Sequence, residues 1–175
     1  MDIILMRHGD ALQGGADPAR PLSEKGMHEA VAAGNFLRSI NEIPNVMLHS
    51  SLLRSRETAE RVEKALGVTG LLRLHYGLKP EDSPREFISE VLMEYAEHVG
   101  SDYTAMVVGH EPFMSGLASL LLWRSRCSLT FGTGTLLKAE SYDPEKAWNL
   151  CFYIQANYLC RLLPGSGVNP RVTCK

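Results

Sequence analysis

Four short apolar runs, each ended by a polar turn and followed by a helix-forming segment, constrain this chain more than any other feature. They are Ile3-Ile4-Leu5-Met6, Val46-Met47-Leu48, Leu71-Leu72-Arg73-Leu74 and Ala105-Met106-Val107-Val108. Runs of this length and bulk between turn signals read as buried strands. Strands that alternate with helices predict an α/β fold of three layers, a mainly parallel central sheet with helices on both faces.

The helices have their own signals. Ser23 serves as a cap with Glu24 in the first turn, and Met27, Ala30, Val31, Gly34, Leu37 and Ile40 follow at helical spacing. Leu52 to Leu66 puts Leu52, Ala59, Val62 and Leu66 on one side and stops at Gly67. Ser83-Pro84-Arg85-Glu86 fits a capping box with proline first, ahead of the stripe Ile88, Val91, Leu92, Tyr95 and Val99. Pro112 opens an apolar helix from Phe113 to Trp123, whose Leu120-Leu121-Leu122-Trp123 run reads as core. Two late strands, about 135–140 and 150–155, flank the turn signal Asp143-Pro144 as a hairpin. Residues 1–163 form one domain on this reading, and 164–175, with two glycines and two prolines, a loosely held tail.

Composition narrows the class. A net charge of −2 and the lack of any basic run argue against a nucleic-acid or anionic-membrane partner. The N-terminus has only four apolar residues between polar ones, too few for a signal peptide, and the stretch Leu117–Trp123 is too short to span a bilayer. A cytoplasmic monomer is therefore expected. Cys127, Cys151, Cys160 and Cys174 form no Cys-x-x-Cys pair, so they read as free thiols, two of them in or near the core.

Three strand ends carry similar chemistry. Arg7-His8-Gly9 closes the first strand, Ser50-Ser51-Leu52-Leu53-Arg54 follows the second, and Gly109-His110-Glu111-Pro112 closes the fourth. In an open α/β sheet ligands bind beyond the carboxyl ends of the strands. If these strands are parallel neighbours, two imidazoles and two guanidiniums converge there. Such a set suits a tetrahedral dianion: arginine forks and a protonated histidine neutralise its oxygens while the other imidazole attacks phosphorus. Gly9 lets the backbone approach a ligand without a Cβ. The plainer alternative is a set of strands that happen to end in polar residues.

These residues resemble the histidine phosphatase superfamily, the phosphoglycerate-mutase-like group whose signature is Arg-His-Gly at the first strand end. Ser50-Ser51-Leu52-Leu53-Arg54-Ser55-Arg56-Glu57-Thr58-Ala59 looks like that family's Ser-Pro-Leu-x-Arg-Ala-x-x-Thr-Ala block, and Val107-Val108-Gly109-His110 like its second-histidine block. The resemblance spans roughly residues 1 to 125. It implies that His8 accepts phosphate as the nucleophile, that Arg7, Arg54 and His110 complete the catalytic pocket, that Gly9 and Glu111 contact substrate, and that neither metal nor cofactor is needed. The segment Asp17-Pro18-Ala19-Arg20-Pro21-Leu22-Ser23-Glu24-Lys25-Gly26 looks most like the SixA-type phosphohistidine phosphatases, which makes Arg20 a candidate substrate contact. A solvated loop charge is the other reading of Arg20.

One departure bears on substrate. Many members that cleave phosphoesters carry a glutamate after the third strand to protonate the leaving alkoxide. Here Gly77 falls near that place, and Glu81 is the candidate general acid just beyond it. An alkoxide leaves poorly without a proton, whereas an imidazole already protonated at its other ring nitrogen leaves neutral. The resemblance and this departure together imply a phosphatase preferring protein phosphohistidine, as on a phosphorelay domain. A small-ester or sugar-phosphate phosphatase is the alternative, and a catalytically idle phospho-ligand binder a further one. Of the remaining histidines, His28 and His49 read as packing residues, and His75 and His98 have no assigned role. Gly132-Thr133-Gly134 lacks the lysine and helix of a phosphate-binding P-loop and reads as the start of a strand, with lining of the pocket mouth as the alternative.

Overall fold

The computed structural model describes residues 1–92, 103–123, 129–141 and 147–162. The sheet contains β1 (Asp2–Arg7), β2 (Val46–His49), β3 (Leu72–Leu74), β4 (Thr104–Gly109), β5 (Leu136–Glu140) and β6 (Asn149–Ile154). Their order is β3-β2-β4-β1-β5-β6. The first four strands run parallel, while β5 pairs antiparallel with both β1 and β6. The α/β class expected from the sequence is the one observed.

Both faces of β1 are covered, which is why its four apolar residues need no alternation with polar ones. Successive side chains still alternate between faces. Ile3 and Leu5 join Leu48, Val107 and Phe113 in one core cluster, whereas Ile4 and Met6 join Met47, Met106, Ala33 and Leu37 in the other. Helix α1 (Glu24–Ser39) and helix α2 (Leu53–Leu66) cover the second face, and α4 (Phe113–Trp123) covers the first.

Local chemistry explains most helix bounds. The Ser23 hydroxyl accepts the Gly26 N–H at 3.1 Å and so starts α1. Helix α2 ends at Gly67, whose φ of 78° is the left-handed conformation glycine adopts freely. Ser83 caps α3 (Pro84–Phe87) by accepting from Glu86, with Pro84 in the first turn. The backbone then widens into a π-helical turn over Ile88–Leu92, and the later part of the expected stripe, Tyr95 and Val99, lies outside the described residues. The Asp143-Pro144 turn and the expected tail 164–175 also lie outside them.

Several expectations need correction. Ala30, Gly34 and Leu37 are buried as expected, but Ile40 is exposed, and Gly26, Glu29, Ala32 and Ala33 complete the buried face of α1. The reason is backbone proximity: a Cβ on Gly34 would sit 2.6 Å from the Ala65 Cβ, so α1 turns its smallest residues toward α2. Trp123 is exposed although Leu121 and Leu122 are core. Of the described cysteines, Cys151 is exposed and Cys160 is half-buried against the core, while Cys127 and Cys174 lie outside the described residues. Helix α5 (Ala156–Leu162) had no counterpart in the sequence reading, and its Leu159 is fully buried in the cluster that holds Leu37. Among the described residues no helix is long and apolar enough to cross a membrane.

Candidate active site

Register brings the strand ends together. Arg7 on β1 lies opposite Gly109 on β4, and His49 on β2 lies opposite Val108. The chain leaves all three strands at the same level, so the residues just beyond are neighbours. His8 and His110 have ring centroids 4.8 Å apart, inclined at 51°. Arg7, His8, Arg20, Arg54, His110 and Glu111 line one cavity of about 230 Å³, which Thr133 and Pro80 also border.

His8 is 7% exposed. Its Nδ1 lies 2.7 Å from the Gly9 carbonyl, an acceptor, so Nδ1 carries the ring proton and Nε2 keeps its lone pair. Arg54 donates from Nε to that Nε2 at 3.3 Å. The turn holding His8 is fixed by backbone contact. A Cβ on Gly9 would lie 2.5 Å from the Gly26 carbonyl oxygen, and one on Gly26 would collide with the backbone of Asp10. Helix α1 therefore abuts the turn directly. Glu29 on the same helix accepts the Asp10 N–H at 2.8 Å and the Thr133 hydroxyl at 3.1 Å. Gly134, next to Thr133, donates its N–H toward the carbonyls of Arg7 and His8, at 3.2 Å to each. Gly9 itself donates to the Thr58 hydroxyl at 3.0 Å, and it borders the site without lining the cavity.

Arg54 is 4% exposed at the start of α2. Its carbonyl accepts the Thr58 hydroxyl at 2.6 Å, so one threonine joins this arginine to the His8 turn. Arg7 donates from Nη1 to the Phe131 carbonyl at 2.7 Å, which leaves its buried Nε without a partner. His110, 1% exposed, has Nε2 2.6 Å from the Ser50 hydroxyl, which also accepts the Leu52 N–H. With the hydroxyl proton donated to Nε2, the His110 proton resides on Nδ1, and that atom is unpartnered. Glu111 is fully engaged: Oε1 accepts from the Ser115 hydroxyl and the Phe131 N–H, and Oε2 from the Ser115 N–H. Three donors around one carboxylate occupy it as an acceptor.

The loop 11–22 crosses above the cavity. It is closed at its base by a bridge between Ala11 and Leu22 and by the Leu12 N–H on the Pro21 carbonyl. Arg20 stands on this loop and lines the cavity. Glu81 is exposed and does not line it; its neighbour Pro80 does. The sequence reading therefore gathers Arg7, His8, Arg20, Arg54, His110 and Glu111, and leaves Glu81 outside. It passed over Asp17, Glu29 and the part taken by Ser50. Ser50 and Thr58 belong to the block quoted above for its family resemblance, so a signal for them was present. Glu29 sits in an ordinary helix and gave none.

Electrostatics set the protonation states. Burial, together with the charges of Arg54, Arg7 and Arg20, pushes the His8 pKa down to about 4 against the opposing pull of its bond to Gly9. Burial and the neighbouring His8 and Arg54 take His110 down to about 3. Both shifts favour the neutral ring at neutral pH, so the protonated histidine expected from sequence is not the form this environment favours. A neutral nucleophile should keep kcat/KM high, after correction for substrate ionisation, until pH falls toward about 4. An acid limb at 6.5 would show that His8 is hydrated like a free imidazole. Folding responds with the same sign. The unfolded imidazoles bind protons below 6.5 that the folded ones refuse, so stability is full above that value and declines toward about 4.

Comparison with known proteins agrees with this geometry. The profile of the family described as "Histidine phosphatase superfamily (branch 1)" matches residues 3–79. An uncharacterised protein of Mycobacterium tuberculosis is 32% identical over 126 residues, covering 66% of this chain and 69% of its own. Among solved structures, the protein histidine phosphatase SixA complexed with tungstate superposes with a TM-score of 0.80 at 23% identity, over 93% of this chain and all (100%) of that one. A mycobacterial glucosyl-3-phosphoglycerate phosphatase in complex with VO3 superposes with a TM-score of 0.67 at 18% identity, over 88% of this chain and 99% of that one. At these identities the structural likeness is one of fold.

Proposed function

We propose that this chain, which belongs to the histidine phosphatase superfamily and is a phosphatase, acts on protein phosphohistidine through a phosphoryl group carried transiently on His8. One observation carries the reading. Two buried nitrogens, Arg7 Nε and His110 Nδ1, have no partner, and both side chains line a cavity bordered by three guanidiniums. A buried donor left unpaired costs about 1–3 kcal/mol. A tetrahedral phosphoryl group offers the missing acceptors and the charge that the guanidiniums call for.

In the proposed reaction the His8 Nε2 lone pair forms a bond to phosphorus as the substrate's P–N bond breaks. The phosphorylated imidazole, protonated on its other nitrogen, departs as neutral imidazole and needs no further proton. Water then attacks phosphorus, and the bond to His8 breaks to release phosphate. Arg7, Arg54 and Arg20 hold the equatorial oxygens, and His110 Nδ1–H donates to one of them.

The preference for a P–N bond rests on the carboxylates. Glu111 is committed as an acceptor on both oxygens, Asp10 accepts the Ser23 hydroxyl at 2.6 Å, and Glu81 stands off the cavity. An alkoxide leaving group would find no carboxylic acid ready to protonate it, and a missing general acid costs about a hundredfold or more. The test is a parallel measurement of kcat/KM on a phosphohistidine-bearing protein, an aryl phosphate and a sugar phosphate. The phosphohistidine is expected to exceed the sugar phosphate by about a hundredfold or more. A sugar phosphate turned over faster would establish the small-ester reading. Tight binding without turnover of any of the three would establish a phospho-ligand binder.

A further inference from the structure

Two of the three arginines that line the cavity are tied to one residue that does not. Asp17 opens the short 3-10 turn Asp17–Ala19 in the loop above the site. One carboxylate oxygen, Oδ1, accepts from Arg20 Nε at 2.9 Å and from Arg20 Nη2 at 2.5 Å. The other, Oδ2, lies 3.4 Å from Arg54 Nη2, and the Asp17 carbonyl accepts from Arg54 Nη1 at 3.0 Å. Burial is the largest single influence and works against ionisation, but the hydrogen bonds and charges of Arg20 and Arg54 together outweigh it and hold the Asp17 pKa below its ordinary value.

The pattern of donors left over is informative. On Arg54, Nη1 and Nη2 are directed to Asp17, and Nε is turned to His8 Nε2. On Arg20, Nε and Nη2 are engaged, while Nη1 has no hydrogen-bond partner among the described residues. Three guanidiniums around a small cavity repel one another, and a long side chain on a surface loop is free to swing away. Arg7 is anchored by the Phe131 carbonyl and Arg54 by its burial on α2. Asp17 is the one hydrogen-bonding partner of Arg20 among the described residues.

We propose that Asp17 is a positioning residue that holds Arg20 against Arg54, so that both present their remaining N–H groups to the same phosphoryl group. The inference rests on the reading of the cavity as a phosphate site. Its carboxylate is 58% exposed, so its removal opens no void in the core. A competing role makes the opposite prediction: a counter-ion that merely occupies the arginines would give way to phosphate, and its loss would tighten binding.

The test is calorimetric binding of inorganic phosphate to the full chain and to Asp17→Asn, Asp17→Ala, Arg20→Ala and the double variant Asp17→Ala/Arg20→Ala, with kinetics on an aryl phosphate alongside. Asp17→Ala and Arg20→Ala are each expected to weaken phosphate binding by about tenfold, the scale for losing one charge-assisted hydrogen bond. The double variant should bind no more weakly than the poorer single one, because an unheld Arg20 has nothing left to lose. For Asp17→Ala, KM should rise in proportion while kcat changes by less than about threefold, which a general loosening of the fold would not produce. Tighter binding by Asp17→Asn, equal binding by all variants, or additive losses would each overturn the inference alone. If the unaltered protein binds no phosphate, the phosphate-site reading falls and takes the inference with it.

Discussion

Replacing His8 by alanine is expected to lower turnover by about ten-thousandfold or more, the scale seen when a covalent nucleophile is removed from a preorganised site. The same variant should form no acid-labile phosphoenzyme when the protein is quenched after exposure to radiolabelled substrate. The geometry makes this prediction sharp. His8 Nε2 is the unprotonated ring nitrogen, because Nδ1 is committed to the Gly9 carbonyl, and it accepts from Arg54 Nε. His110 stands close by, yet its Nε2 is engaged with the Ser50 hydroxyl, and a hydroxyl proton donated there puts the ring proton on Nδ1, so no second imidazole is set to take over the attack. A labelled phosphoenzyme persisting in His8→Ala would place the nucleophile elsewhere.

The second large effect belongs to Arg54. Its guanidinium is the one that reaches both the nucleophile and the loop above it, through Nε and through Nη1 and Nη2. Arg54→Ala should remove about 2–4 kcal/mol of transition-state binding, a fall in kcat/KM of about 30- to 900-fold. The fold should survive, since the backbone carbonyl of residue 54 keeps its bond from Thr58 and the core clusters do not include the guanidinium. Arg54→Lys keeps the charge but loses the planar fork, and should recover only part of the loss. Circular dichroism and kcat/KM measured on the same preparations separate a local defect from unfolding. Unchanged turnover in Arg54→Ala would refute the pocket as described.

What could be read from the chain follows a physical divide. The strands were legible because β1, β2 and β4 are buried on both faces, so their sequences are continuous apolar runs with sharp polar ends. The convergence of Arg7, His8, Arg54 and His110 was legible for the same reason: they sit at or just after strand ends, and parallel neighbours align those ends. Helix faces set by the absence of side chains were not legible. The buried face of α1 is chosen by Gly26 and Gly34, which meet the backbones of Asp10 and Val62, and hydrophobic spacing alone pointed to Ile40 instead. Helix α5 was hidden because its seven residues follow directly on β6 with little to mark the change. The Asp17–Arg54 contact joins residues 37 positions apart across a loop whose path no local propensity dictates. Glu81 illustrates the converse: its position in the chain suggested a proton donor, and one residue of displacement leaves Pro80 at the wall and the carboxyl in solvent.

The closed base of the loop 11–22 has a practical meaning for engineering. A segment whose two ends already meet through Ala11 and Leu22 can be exchanged for another of different length without pulling on the strand that feeds it. The turn that holds His8 rests on a helix beneath it, and on the proposed reading the substrate meets the loop 11–22 from the other side. Transplanting that cover between relatives should therefore leave the chemical step intact only where the new segment keeps an aspartate and an arginine at the places of Asp17 and Arg20.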